Sequence, residues 1–318
     1  MSSQWRDIFI FIILVAIGCY IWANKQNMPV KPVKEPVKAV EEPPAPKVTD
    51  KKFAMTYKFN LRLSNLETLE KAILTIPVPQ NNTTRQNISE VKFSHANPVI
   101  THKDDSKYAK ITITDVVKDS HEVDMTLKAN LHIYDYQRAT QLKRNYDKIK
   151  NTNRYLLSEN HIEVSSKTVK AAANLIKGKT HIEILTSIAD YMQKNIELSQ
   201  SVGTAGAATA IKNHIAGTSD YANVFVALAR AKGIPARVVS GYRIVGITAR
   251  RHAWAEVYFS QYGWVTFDPH NSPVDITDLN AFYVVCANNS FMADSLETYY
   301  KGYTKSGRVV TDVVVKEL

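Results

Sequence analysis

Residues 216–271 read AGTSDYANVFVALARAKGIPARVVSGYRIVGITARRHAWAEVYFSQYGWVTFDPHN. Tyr221, Val224, Phe225, Leu228 and Ala229 recur at helical spacing, which predicts a helix from Ser219 to Lys232. Gly233-Ile234-Pro235 stops it, since glycine accepts the left-handed cap and proline cannot continue the helix. Strand segments follow at 236–242, 252–259, 264–267 and, further on, 282–286. Helices followed by antiparallel strands make an α+β core.

Four blocks of this stretch occur in a specific order: Asp220-Tyr221-Ala222; Gly233-Ile234-Pro235-Ala236-Arg237 with Val239, Gly241 and Tyr242; His252-Ala253-Trp254 with Glu256-Val257; and Gly263-Trp264 with Phe267-Asp268-Pro269. Together they resemble the transglutaminase-like superfamily, whose fold is papain-like, over about residues 145–290. The resemblance implies a nucleophile at the start of the helix, His252 as base and Asp268 as orienter of the imidazole. A thiol at a helix N-terminus gains from the macrodipole and free amides, and an aspartate behind the histidine fixes its tautomer. Side chains alternate along a strand, so His252 and Asp268 share a face only if the loop near Gln261 has an odd number of residues. Trp254 and Trp264 are expected as packing residues flanking a substrate cleft.

The family cysteine falls on Thr218, or on Ser219 if one residue is lost at the helix start. Two readings stay open for these candidate catalytic residues. Thr and Ser are favoured helix caps, so the hydroxyl is expected there without any chemistry. Alternatively one of them attacks with His252 as base, although a hydroxyl has a far higher pKa than a thiol. The cysteines are Cys19 and Cys286, and Cys286 reads as a small hydrophobe in a buried strand. His214 and His270 are expected at the rim or surface.

Upstream, Ser165 or Ser166 caps a helix with apolar positions Val169, Ala172, Ala173 and Ile176. Thr180-His181-Ile182-Glu183 is a capping box opening a second helix through Leu185, Ile188, Ala189 and Met192. From Phe53 to Tyr136 the period is two, as in Met55, Tyr57, Phe59, Leu61 and Leu63, which predicts an antiparallel β-sandwich. Its histidines, His95, His102, His121 and His132, show no metal-ligand spacing, and no cofactor is expected.

Between Pro29 and Val48, six prolines among alternating charges read as an extended spacer. At about 3.1 Å per residue it reaches roughly 60 Å. Ile8 to Ala23 is an apolar run of sixteen residues, flanked by Arg6 and Asp7 and by Lys25. Signal anchor, cleaved secretory signal, and lipoprotein signal at Ile17-Gly18-Cys19 all remain open, the anchor being favoured. The expected organisation is a membrane anchor or signal at 1–24, a Pro/Lys/Glu-rich linker at 25–52, a β domain at 53–140 and the transglutaminase-like domain at 141–318.

The net charge of +10 lies partly in the tether, where seven lysines and four acidic residues occur between Asn24 and Lys52. With no basic stripe interleaved with aromatics, nucleic acid is not an expected partner. The expected function is a membrane-anchored, extracytoplasmic protein that binds peptide or protein amide groups without thiol catalysis. The alternatives are an amide hydrolase or acyltransferase with a Thr/Ser nucleophile, and an envelope scaffold.

Overall fold

The computed structural model describes residues 14–22, 47–81, 85–95, 98–103, 106–114, 119–135, 152–199, 202–259, 263–270, 282–287 and 295–318. Two compact units are present, residues 1–44 and 45–318. The first contributes a short helix, α1, at residues 14–22. Among the described residues no helix is long and apolar enough to cross a membrane, so the expected transmembrane helix is not found there. The rest of the apolar run and most of the proline-rich spacer lie outside the described residues.

The second unit opens with β1 (Lys47–Arg62), which starts inside the stretch expected as spacer. After it come β2 (Leu69–Val78), β3 (Gln86–Phe93), β4 (Val99–Lys103), β5 (Ser106–Ile113) and β6 (Ser120–Asp135). The short β7 (Glu197–Leu198) and β8 (Ile215–Ala216) pair in parallel. Then come β9 (Ala236–Val245), β10 (Thr248–Phe259), β11 (Gly263–Phe267), β12 (Phe282–Ala287), β13 (Ser295–Tyr300), β14 (Tyr303–Ser306) and β15 (Arg308–Glu317). One antiparallel sheet runs β12-β9-β10-β15-β1-β6-β3 with β11 beside β10, and the other runs β14-β13-β2-β5-β4.

Period-two patterning builds the layer between the sheets. Phe53, Met55, Tyr57, Phe59 and Leu61 of β1 are all buried, with Leu74 and Ile76 of β2, Ile111 of β5 and Met125 of β6. They form one core with Leu296 of β13 and Val313 and Val315 of β15. Each large side chain contributes about 1.5–3 kcal/mol through burial. The sandwich therefore draws on both ends of the unit. Its C-terminal strands were not read from sequence, although Val313 and Val315 alternate with exposed Val314.

The helical part supports one buried element. In α2 (Lys167–Leu175) the Ser166 hydroxyl accepts from Val169 N at 3.1 Å. In α3 (His181–Asn195) the Thr180–Glu183 capping box forms as expected. The short α4 (Ala207–Asn213) precedes α5 (Thr218–Ala231). Every residue of α5 from Tyr221 to Arg230 is buried, as befits a central helix. Arg230, 3% exposed, fixes its C-terminal end by donating to Ala236 O, Leu157 O and Glu159 Oε1 at 2.8, 2.6 and 2.7 Å.

Candidate functional site

The β10–β11 hairpin decides whether the site exists. Phe259 pairs with Gly263 and Ala255 with Phe267, leaving three residues in the loop. The odd number puts Asp268, just past β11, on the face that carries His252. His252 Nε2 lies 2.8 Å from Asp268 Oδ2, so the imidazole N–H donates to the carboxylate. His252 also stacks on Trp254, with ring centres 6.1 Å apart.

A second imidazole joins them. His270 Nδ1 lies 2.8 Å from Asp268 Oδ1, and the His270 backbone N–H donates to the same oxygen at 3.1 Å. The two rings are 4.6 Å apart. The His270 side chain is only 9% exposed, which corrects its expected place at the rim: the turn after Pro269 folds it back onto the carboxylate. His214, by contrast, is exposed and caps α4 in a left-handed conformation. Burial acts to raise the Asp268 pKa, but hydrogen bonds from His252 and His270 outweigh it. The carboxyl is held well below the usual carboxylate range.

The first turn of α5 meets this cluster through Tyr221, whose ring lies 5.2 Å from that of His270. Thr218 and Ser219 open that turn and are partly exposed. Neither is the cap. The N-cap is Gly217, and no side-chain hydrogen bond closes it, which overturns the capping reading of the two hydroxyls. Position 217 itself has no room for a side chain: a Cβ there would come within 2.4 Å of Val202 O. The segment before α4 is held there by Asp220, 1% exposed, which accepts from Ala205 N at 2.6 Å, Gly206 N at 3.0 Å and Asn223 Nδ2 at 3.0 Å. An aspartate in the first turn also suits the helix dipole. Asp220 thus fastens the chain around the helix start.

The two tryptophans differ. Trp254 is fully buried against Val239 and Val285. Trp264 is half-buried beneath the Arg237 guanidinium, 4.4 Å away, and its ring meets those of Tyr155 and Tyr258 edge-on. Cys286 lies in β12 at a register shift between Val285 and Ala287, and its side chain is outside the described ones.

His252, Asp268 and Tyr221 are sequence-predicted motif residues that the fold brings together. His270 was missed as a site residue; its signal was a place two positions beyond Asp268 with rigid Pro269 between. Chemically the cluster offers two imidazoles on one anionic carboxylate beside a helix start.

Comparisons with known proteins agree with this geometry. Residues 169–269 match the family model of the transglutaminase-like superfamily. The crystal structure of a candidate cysteine protease from Cytophaga hutchinsonii superposes with a TM-score of 0.65 at 18% identity, covering 86% of this chain and 93% of that one. That likeness shows the fold alone. The periplasmic domain of TgpA from Pseudomonas aeruginosa aligns at 14% identity over 69% of this chain and 87% of that one; its TM-score of 0.37 carries no weight. The uncharacterized protein YebA of Bacillus subtilis (strain 168) is 39% identical over 64 residues, 16% of this chain and 9% of that protein's length. Built around α5, β9, β10 and β11, residues 169–269 are a transglutaminase-like domain.

Proposed function

We propose that this chain is a membrane-anchored, extracytoplasmic transglutaminase-like protein that binds peptide or protein amide groups at the His252–Asp268 site without thiol catalysis. One observation carries the reading. The helix start where the fold's chemistry calls for a thiol holds Thr218 and Ser219, while the His252–Asp268 pair is intact at 2.8 Å. An imidazole fixed by a carboxylate suits recognition of an amide, but a site tuned for a thiolate does not activate a hydroxyl unaided. The apolar run Ile8–Ala23 and the proline-rich stretch that follows it are the sequence features that support anchoring.

A second reading, an amide hydrolase or acyltransferase with a hydroxyl nucleophile, is favoured by one specific feature. Because Gly217 is the cap, the Thr218 hydroxyl is not occupied as the capping group. The test is amide hydrolysis, amine incorporation and peptide binding by the full-length chain on glutamine-containing peptides, with Thr218→Ala, Ser219→Ala and His252→Ala alongside. Binding without turnover, weakened in His252→Ala, is expected. Turnover lost in His252→Ala and in one hydroxyl variant would establish the second reading. Neither binding nor turnover would leave an envelope scaffold.

A further inference from the structure

We propose that His252, Asp268 and His270 form a site for a divalent transition-metal ion of the Zn2+ class. Three observations converge on it. One donor atom from each of the three residues lies within 4.8 Å of the others. The donors sit on different supports, His252 within β10 and Asp268 and His270 just beyond β11, so hairpin register and the turn at Pro269 hold them together. The His270 side chain is 91% buried, and its Nε2 finds no hydrogen-bond partner among the described residues. Burying an imidazole nitrogen unpaired costs free energy, so a ring placed there needs a ligand to offset it.

The donor set selects the ion. Two imidazoles and one carboxylate match three-ligand zinc sites that keep a fourth position for water or substrate, whereas Ca2+ and Mg2+ prefer oxygen cages. Ligand bonds of about 2.0–2.2 Å require donors roughly 3.4 Å apart, so donors that lie within 4.8 Å of one another close by at most about 1.4 Å through side-chain rotation. The ion takes the place of the proton that His252 now donates to Asp268, while His270 offers its unpaired Nε2 and keeps its Nδ1–H on the carboxylate. Such an ion would polarise a bound carbonyl or water, a chemistry that does not depend on the missing thiol.

The test uses the full-length chain in detergent, stripped with a chelator and titrated with Zn2+ and with Co2+ as a visible-absorption probe. One ion per chain is expected, with Co2+ bands of a four-coordinate site. His252→Gln and His270→Gln, shown to be folded by circular dichroism, should each weaken binding by more than the roughly 10- to 100-fold that loss of an outer-shell partner costs. His214→Ala should bind like the wild type. Absence of stoichiometric binding by the wild type, or unchanged binding by folded His270→Gln, overturns the proposal. Peptide binding measured with chelator present separates failure of this site from failure of the amide-binding reading.

Discussion

Arg237 stands directly opposite Glu256 in the β9–β10 ladder, and its Nε and Nη2 both donate to Glu256 Oε2, at 2.9 and 2.6 Å. Arg237 is 8% exposed and Glu256 fully buried, and Glu256 Oε1 has no partner among the described residues. Removing one member of a buried pair strands the other charge. Arg237→Met should therefore destabilise the unit by about 3–5 kcal/mol, measured by urea unfolding. The double variant Arg237→Met/Glu256→Leu should recover most of that loss. A loss under 1 kcal/mol in the single variant would mean water reaches the pair.

Thr218→Cys tests whether the helix start and the dyad are still coupled. A thiol at a helix start within reach of an oriented imidazole has its pKa depressed. At mildly acidic pH it should be alkylated about tenfold or more faster than Cys19 and Cys286, as read by mass spectrometry of peptides. Adding His252→Ala should abolish the excess. Equal rates in both backgrounds would mean that His252 does not reach the first turn of α5.

Gly217→Ala probes the same place by sterics. The new Cβ meets Val202 O at 2.4 Å, a backbone atom that cannot step aside alone. The expected cost is about 1–3 kcal/mol, seen as a lower thermal midpoint. Proteolysis should then rise at residues 202–206, the segment that Asp220 ties down. Cleavage unchanged there would place the strain elsewhere.

What the sequence made legible and what it hid divide along the same line as local and tertiary causes. The α5 period and the Thr180–Glu183 box are local, and both appear in the structure. Parity along β10 and β11 is nearly local, so the His252–Asp268 contact followed from a three-residue loop. The tight fit at Gly217 was hidden because the carbonyl that crowds it belongs to Val202, fifteen residues away in sequence. His270 was hidden because the turn after Pro269 turns it inward onto Asp268. The pairing of β15 with β1 was hidden most completely, since no pattern in either strand names its partner.

Acid should loosen α3 through Glu183. Its carboxylate accepts from Lys179 N at 2.6 Å and from Thr180 N at 3.3 Å, and these bonds, the Lys179 one foremost, lower its pKa. A carboxyl with a folded pKa below its unfolded value adds stability above the unfolded pKa, and that stability is lost as pH falls through the folded one. The thermal midpoint of wild type should exceed that of Glu183→Gln at neutral pH and converge with it on acidification. A gap independent of pH would show that the ionised form is not the one that caps.

Ten residue pairs, Phe53 with Glu317 through Arg62 with Arg308, join the opening and closing strands of the second unit side by side. On a ribosome, β1 emerges more than two hundred residues before its neighbour β15. Until then one edge of β1 faces solvent with its amides unclaimed, an invitation to other strands. Long-range pairing of this kind also closes slowly. The nascent chain therefore carries an open edge throughout synthesis of the unit, and β15 acts as the latch that closes it.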